Sequence, residues 1–161
     1  MNSGELQGLR FPLIVFGGLF IFSLFGLMLA QGPTVRRVFF FPPTVGSRLA
    51  TETRQLRMQF GLENAVAALV DDALLGPMMI QHRRILPKNT RANSILVRNG
   101  QVIVDLSEHS LMPDNEVNLS LDEGVGVLEK TVLFNFREAR GMSVTINGQV
   151  PGKPAYQGKY R

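Results

Sequence analysis

The stretch that decides the fold is "SILVRNGQVIVDL", residues 94–106. Asn99 and Gly100 in its centre suit a two-residue type I′ turn, because both central positions of that turn need a positive φ. Such a turn pairs Val97 with Val102, and cross-strand partners share a face of the hairpin. One face is then fully apolar, with Ile95, Val97, Val102 and Val104 as its members. The turn chemistry and the hydrophobic pattern independently predict the same β-hairpin.

Further strands and helices flank this hairpin and complete a small domain. The predicted elements, in chain order, are strands at 35–41 and 49–58, a helix at 62–75, the hairpin, a helix at 120–136 and a strand at 142–146. The strand at 49–58 is polar and is expected near a sheet edge, and Asp71 and Asp72 are expected on the solvated face of the first helix. Ser120 and Glu123 have the spacing of a capping box, which marks the start of the second helix. This β-β-α-β-β-α-β order predicts an α+β fold, in which both helices cover one face of a small sheet.

An uncharged segment, "FPLIVFGGLFIFSLFGLMLA" at residues 11–30, precedes the domain. About 20 helical residues cross the hydrocarbon core of a bilayer, so the segment predicts a transmembrane helix. A cleavable signal peptide is the alternative, but its apolar stretch is usually about 7–15 residues and ends in a small-x-small site. The residue two before Ala30 is Met28, which is not small, so we predict a retained signal anchor. The other predicted boundaries are a short N-terminal tail at 1–10, a linker at 31–34, the folded domain at 35–150 and a flexible basic tail at 151–161.

The charge balance gives a weak indication of partner and orientation. The formal net charge of +4 is compatible with an anionic lipid surface, an anionic wall polymer or nucleic acid. Arg36, Arg37 and Arg48 follow the apolar segment and Arg10 precedes it, which by the positive-inside tendency favours a domain in the cytoplasm. The absence of cysteine excludes a disulfide scaffold, a thiol nucleophile and an anchor lipidated on cysteine.

The polar residues at the end of the hairpin, Asp105, Ser107 and His109, raise the question of a catalytic group. A serine hydrolase needs a base beside the serine and a third group that orients the base, and no nucleophile-elbow glycine pattern surrounds any serine. In the predicted register Asp105 faces Ser94, so these residues are expected only to end a strand. His82 is the other histidine of the two in the chain, and two histidines without cysteine do not indicate a zinc site. We expect no enzymatic activity and no cofactor.

The connection between the first helix and the hairpin is basic. Its residues 82–91, "HRRILPKNTR", include Arg83, Arg84, Lys88 and Arg91. These four are candidate partner-binding residues, because such a patch attracts phosphates or an acidic protein surface. The alternative is a solvated basic loop. The segment lacks the interleaved aromatic residues of a base-stacking platform, so nucleic acid is not expected as a partner.

Several short motifs occur together in a characteristic order. They are "ALLGP" at 73–77, "ILPKNT" at 85–90, "VIVDLS" at 102–107, "EKTVLFNF" at 129–136 and "SVTINGQ" at 143–149. In this order and spacing, across roughly residues 35–150, the chain resembles the GerMN domain family, named for sporulation and spore-germination proteins. The resemblance implies that "VDLS" is a strand-end signature with no known catalytic role. Asn99, Gly100, Asp105 and Ser107 are accordingly interpreted as a structural motif.

The resemblance also implies a function. Members of the family help to build or stabilise envelope-spanning assemblies, a related domain occurs in a lipoprotein that works with a sensor kinase, and the fold is similar to the ring-building modules of secretion and flagellar systems. We therefore expect a non-enzymatic scaffold in the cytoplasmic (inner) membrane, anchored in the bilayer by residues 11–30 as a single-pass protein. Its domain would lie outside the cytoplasm, although the charge balance favours the cytoplasm. It would bind envelope or membrane-complex proteins, either as a monomer or as an oligomer. The alternatives are a module that binds wall glycan or an anionic envelope polymer through residues 82–91, and an enzyme acting on the wall.

The sequence departs from the family pattern in three respects. It carries one copy of the domain where the sporulation protein has two, and a predicted transmembrane helix where a lipidated cysteine is common. Its "MMIQHRR" segment, residues 78–84, replaces a more acidic connection. The resemblance therefore does not imply that sporulation is the process.

Overall fold

The computed structural model describes residues 3–30 and 32–151, and within the first helix it describes the side chains of residues 14–27. The chain divides into two compact units, Met1–Thr34 and Val35–Arg161. The elements are α1 (Ser3–Ala30), β1 (Thr34–Phe41), β2 (Ala50–Arg57), α2 (Leu62–Leu74), β3 (Ala92–Arg98), β4 (Gln101–Leu106), a 3₁₀ turn (Glu108–Leu111), α3 (Leu121–Asn135) and β5 (Gly141–Ile146). From residue 152 onward, the predicted flexible tail lies outside the described residues.

Helix α1 makes up most of the first unit. It begins at Ser3, so residues 3–10 of the predicted N-terminal tail are helical, as expected where each further residue extends the hydrogen-bond ladder of a nucleated helix. The described side chains of α1, at residues 14–27, are all exposed. Among the described residues, no helix combines the length and the apolar character that crossing a membrane demands. The transmembrane helix predicted at 11–30 is not confirmed.

The hairpin that decides the fold has the predicted register. β3 and β4 pair antiparallel, with Arg98 opposite Gln101 and Val97 opposite Val102. The turn residues Asn99 and Gly100 have φ values of 53° and 81°, as a type I′ turn requires. β5 pairs with the other edge of β4 in parallel, which gives a three-stranded sheet in the order β3-β4-β5. The predicted hairpin is confirmed.

Gly100 is the most restricted position of the turn, because a Cβ there would lie 2.9 Å from the carbonyl oxygen of Glu138. We expect Gly100→Ala to lower the free energy of unfolding by about 1–2 kcal/mol, since an L side chain strains the left-handed backbone. Asn99→Gly is the matched control, because glycine adopts a positive φ without strain. Urea unfolding of both variants measures the difference, and an unchanged free energy for Gly100→Ala would contradict the prediction.

Both helices pack with the three-stranded sheet around one core. α2 contacts β3, α3 contacts β5, and the helices contact each other. α3 begins behind the predicted capping box, in which Ser120 Oγ accepts from the Glu123 amide at 3.3 Å and Glu123 Oε2 accepts from the Ser120 amide at 2.8 Å. The fully buried residues of the helices and of β4 include Val66, Leu69, Val70, Val102, Val104, Leu106, Leu128 and Val132. The predicted α+β fold is confirmed.

The single predicted sheet is wrong, because β1 and β2 form a separate two-stranded sheet. Side chains of α3 occupy the edge of β1 where a further strand would pair. The Asn135 side chain accepts from the Val38 amide at 3.0 Å and donates to the Val38 carbonyl at 2.6 Å. The Phe40 amide donates to Thr131 Oγ1 at 3.3 Å. These contacts satisfy the backbone groups of β1 without a strand, so the sheet ends there.

Candidate partner-binding site

Strand β2 buries two charged side chains that its polar sequence did not distinguish from solvated ones. Glu52 is 5% exposed and Arg54 is 8% exposed. Because side chains two apart on a strand share a face, the pair meets directly, with Arg54 Nη2 2.7 Å from Glu52 Oε2. Arg54 Nη1 lies 2.8 Å from Asp72 Oδ2, and the Asp72 side chain is 25% exposed, so Asp72 is paired and partly buried where a solvated helix face was predicted. His82 Nδ1 completes the group at 2.7 Å from Glu52 Oε1. We name Glu52, Arg54, Asp72 and His82 the buried charge cluster.

The cluster rests on aromatic residues of β1. The Arg54 guanidinium lies over the rings of Phe39 and Phe41, 4.8 and 5.1 Å from their centroids. These two rings stack with their centroids 6.4 Å apart, and both side chains are fully buried. A cation over an aromatic face gains electrostatic energy when it is desolvated. The rings therefore help to hold Arg54 in the interior.

The buried charge cluster fixes the backbone that follows α2. Glu52 Oε2 accepts from the Met78 amide at 3.0 Å, and Glu52 Oε1 accepts from the Met79 amide at 3.1 Å. Arg54 Nη2 donates to the Gly76 carbonyl at 2.8 Å. Charged partners make such hydrogen bonds stronger than neutral ones. The segment from Gly76 to Met79 is thus held by side chains of β2.

Glu52 is ionised in this setting. Burial by itself raises its pKa, but the hydrogen bonds from Arg54, the Met78 amide, His82 and the Met79 amide together lower the pKa from 4.5 to about 2. A carboxylate that accepts several hydrogen bonds and faces an arginine is stabilised in its charged form. The acceptor for the Met78 and Met79 amides is therefore a full negative charge.

An exposed group of apolar side chains lies on the segment that the cluster holds. Met78, Met79 and Ile80 are 79%, 52% and 97% exposed, and Val45 in the β1–β2 loop is 89% exposed. The two loops are joined where the Thr44 amide donates to the Gln81 carbonyl at 2.8 Å. We name Val45, Met78, Met79 and Ile80 the apolar tip. Contiguous exposed apolar residues on a fixed backbone are typical of an interaction site.

A cleft of about 480 Å³ runs beside the apolar tip. One part of its wall is apolar, and another is polar and largely basic. The lining residues are Thr44, Pro77, Met78, Met79, Ile80, His82, Arg83, Arg84, Asn115 and Glu116. We name this space the tip cleft.

The four basic residues predicted to bind a partner do not form one exposed patch. Arg83 and Arg84 line the tip cleft and are half-buried. Arg83 Nη1 donates to Asn118 Oδ1 at 2.7 Å, and Arg84 Nη2 donates to the Leu74 carbonyl at 3.0 Å. Lys88 and Arg91 are exposed and line a second cavity of about 530 Å³, to which Arg84 also contributes. The segment 82–91 is not solvated along its whole length, because Ile85 and Leu86, at 1% and 3% exposure, anchor its middle in the core.

The polar residues at the end of β4 hold neighbouring backbone and side chains. Asp105 Oδ1 accepts from Thr145 Oγ1 at 2.6 Å and from the Gly148 amide at 2.7 Å, and these bonds, the Thr145 one above all, lower the pKa of Asp105. Ser107 Oγ accepts from the Arg91 amide at 3.1 Å. Within the described residues no hydrogen bond joins His109 to Asp105 or Ser107, so the geometry is that of a strand end.

No metal centre is apparent in the part of the chain that the structure describes. There, no group of three or more histidine, aspartate or glutamate side chains is placed to hold a metal ion. The histidine of the buried charge cluster instead contacts Glu52, which is already engaged with Arg54. The apolar tip and the tip cleft together form a surface that is partly basic and partly apolar.

Comparison with known proteins identifies the domain. The model of the Germane family, described as sporulation and spore germination, matches residues 37–151. This chain belongs to that family. The fold is similar to the tandem GerMN domains of the sporulation protein GerM from Bacillus subtilis, with a TM-score of 0.55, 21% identity and coverage of 73% of this chain and 41% of that chain. It is equally similar to the first GerMN domain of that protein, with a TM-score of 0.55, 20% identity and coverage of 73% and 86%. No curated protein matches the chain.

The candidate site of this GerMN domain was partly visible in its sequence. Arg83 and Arg84 stood out as basic residues. The apolar tip had a signal as well, since three consecutive apolar residues from Met78 to Ile80 follow the helix-ending Gly76-Pro77 pair. The buried charge cluster had no such signal in the sequence, because charged residues at alternate positions of a strand give the same pattern whether their face is buried or solvated.

Proposed function

We propose that this chain is a non-enzymatic, membrane-anchored module outside the cytoplasm that binds protein partners in a cell-envelope assembly. The observation that carries the proposal is the apolar tip. Its four side chains are 52% to 97% exposed. The buried charge cluster holds the backbone amides of Met78 and Met79, and a hydrogen bond from the Thr44 amide to the Gln81 carbonyl ties the loop of Val45 to the same segment. A surface that is already ordered loses less conformational entropy on binding, and methionine adapts its shape to different apolar partners.

The position of the tip within its own unit supports a protein partner. β1 starts at Thr34, and the loop that carries Val45 follows its last residue, Phe41. A strand of this length spans about 25 Å. The tip is therefore at the opposite end of β1 from the point where the chain enters the domain. A surface presented there suits docking of a second protein.

Membrane anchoring is proposed from the first unit. Residues 11–30 contain no charged residue, and α1 extends over Ser3–Ala30. The described large apolar side chains of this helix are 44–77% exposed, with Phe16, Phe20 and Phe22 at 66–77%, and exposure of that kind favours a lipid environment. The proposed location is the cytoplasmic membrane, crossed once, with the GerMN domain on the outer side.

A second candidate function uses the other basic cavity. Lys88 and Arg91 are exposed and share a cavity of about 530 Å³ with Arg84. Cationic side chains that converge on one cavity attract phosphate or carboxylate groups. This supports binding of wall glycan or an anionic envelope polymer as the alternative to binding of a protein.

A single engineered thiol tests the proposal, because the chain has no cysteine. Gln81→Cys places the thiol beside the tip on an exposed side chain. We expect an impermeant thiol reagent to label it in intact cells, or after permeabilisation of an outer membrane where one is present. A photo-crosslinker attached to this thiol should capture discrete proteins. Adding Ile80→Ser should reduce the capture about tenfold, the effect of losing one buried anchor residue at an interface.

Phe60→Ser is the matched control, since Phe60 is another exposed loop residue, 84% exposed, and does not line the tip cleft. It should leave the capture unchanged. Labelling only after lysis would reverse the proposed orientation. Capture of wall material without protein would favour the second candidate, and equal losses with Ile80→Ser and Phe60→Ser would remove the tip as the binding site.

A further inference from the structure

We infer that the partner contributes an acidic segment to the tip cleft, with a carboxylate directed at Arg83 and Arg84 and an adjacent apolar side chain against Met79 and Ile80. This inference rests on the proposed function and names the chemistry of the partner. It is drawn from the charge and the hydrogen bonding of the tip cleft.

Arg83 and Arg84 carry positive charge that the described residues do not pair. Neither arginine forms an ion pair within 4.0 Å with another described residue. A guanidinium has five N–H donors, and each of these two arginines uses one of them, toward Asn118 and toward the Leu74 carbonyl. Both guanidinium groups therefore have further N–H donors and an unpaired positive charge at the wall of the tip cleft.

Both arginines are also partly removed from water. The Nε atoms of Arg83 and Arg84 are buried and have no hydrogen-bond partner. A charged donor that has lost water without gaining an acceptor is destabilised, so a nearby carboxylate is favoured more than it would be beside a fully solvated arginine. The planar fork of arginine matches the two oxygens of a carboxylate. An acidic side chain is thus the complement of this wall.

Two acids near the cleft limit where the partner's carboxylate fits. Glu116 lines the cleft. Asp114 accepts from the Lys88 and Glu116 amides, which together with the charges of Arg84 and Lys88 lower its pKa. Asp114 is therefore a carboxylate that already acts on Arg84, whereas the hydrogen-bond partner of the Arg83 guanidinium is the neutral side chain of Asn118. Arg83 is the main contact for the incoming acid.

The apolar part of the cleft decides between classes of partner. A highly charged polymer would leave Met79 and Ile80, at 52% and 97% exposure, without apolar contacts. Among the described residues, no phenylalanine or tyrosine lines the cleft, so it lacks the aromatic platform on which successive nucleic-acid bases stack. A protein segment in which aspartate or glutamate adjoins a large apolar residue can contact the basic wall and the apolar wall of the cleft at the same time.

The crosslinker at Gln81→Cys tests this inference in the full chain in intact cells. Mass spectrometry of the captured peptides should find aspartate or glutamate beside a large apolar residue. Arg83→Gln in the same background should lower the capture about tenfold, because it removes a desolvated charge pair, and Arg83→Lys should retain part of it. Arg98→Gln is the matched control and should leave the capture unchanged, since Arg98 is exposed and does not line the tip cleft. Raised salt should weaken capture by the parent protein.

The outcomes separate the inference from the proposed function. Failure to capture any protein from Gln81→Cys, or capture of lipid alone, would overturn both. Captured peptides that are neutral or basic, or that come from a second copy of this chain, would overturn the inference and leave protein binding in place. Unchanged capture by a stably folded Arg83→Gln would do the same. Should Arg83→Gln melt at a much lower temperature than the parent, the salt dependence of the parent decides, and salt-independent capture overturns the inference.

Discussion

Glu52→Ala is expected to lower the free energy of unfolding by about 3–5 kcal/mol, because it removes one member of a buried ion pair. Arg54 is then left with Asp72, whose side chain is 25% exposed, as its remaining carboxylate partner. Arg54 is 8% exposed, and its closest carboxylate oxygen is that of Glu52, at 2.7 Å. The substitution also removes the acceptor for the Met78 and Met79 amides, so the apolar tip loses its support. Urea unfolding followed by circular dichroism measures the loss.

Two further variants make the result interpretable. Gln55→Ala is the matched control, because Gln55 is exposed on the same strand and surface changes usually alter stability by less than about 0.5 kcal/mol. The double variant Glu52→Met/Arg54→Met should cost less than Glu52→Ala, since it leaves no buried cation behind, and the carboxylate that loses its partner, Asp72, is 25% exposed. If Glu52→Ala were no more damaging than Gln55→Ala, the buried charge cluster would not be stabilising the fold.

The same pair of proteins, parent and Glu52→Ala, should differ in a pH-dependent way. The pKa of Glu52 is about 2 in the folded chain and 4.5 ordinarily, so folding favours the ionised form. Its contribution is complete above about pH 4.5 and is lost as the pH falls toward 2. The stability difference between the two proteins should shrink across that window. A difference that stays constant there would contradict the lowered pKa.

Gly124→Ala is expected to lower the free energy of unfolding by about 3 kcal/mol, although alanine is the better helix former. Gly124 is buried in α3, and a Cβ there would collide with the carbonyl oxygen of Ile85 and lie 3.0 Å from Leu86 Cδ2. Ile85 and Leu86 are themselves buried, so their backbone cannot retreat without opening the core. The same urea titration measures the effect.

Gly126→Ala provides a control of opposite sign on the same helix. A Cβ at Gly126 meets nothing within 4 Å, so alanine should raise the stability by about 0.5–1 kcal/mol through the backbone entropy of the unfolded chain. Stabilisation by both substitutions would show that the segment carrying Arg83 and Arg84 does not approach α3 as closely as described.

The hairpin was predictable because its signals are local. Asn99 and Gly100 are adjacent, and the alternation of apolar residues on either side of them agrees with the turn. The capping box of α3 is local in the same way. Neither prediction required knowledge of which element packs on which.

The buried charge cluster was not predictable because its contacts are distant in sequence. Asp72 lies 18 residues from Arg54, and His82 lies 30 residues from Glu52. The sequence pattern within β2 does not indicate such distant partners. A strand with this polar pattern is equally compatible with a buried ionic face and with a solvated sheet edge. The separate β1–β2 sheet was missed for a similar reason, since the amide of Asn135 on α3 takes the place of a strand.

The candidate site was predicted in part. Charge alone selected Arg83 and Arg84, but it also selected Lys88 and Arg91, which line a different cavity. The exposure of these four residues could not be inferred from their charge, because the middle of the segment 82–91 is buried through Ile85 and Leu86.

The place of β4 between an antiparallel and a parallel neighbour determines the order in which the sheet can assemble. β3 and β4 are joined by a two-residue turn, so this hairpin can form within microseconds. β5 reaches β4 only after all of α3 has been synthesised, and closing that longer loop costs more chain entropy. Until Gly141–Ile146 has emerged, a nascent chain carries β4 with an unpaired edge. Free strand edges recruit other chains, so the interval before the last strand arrives is when the growing polypeptide is most exposed to aggregation.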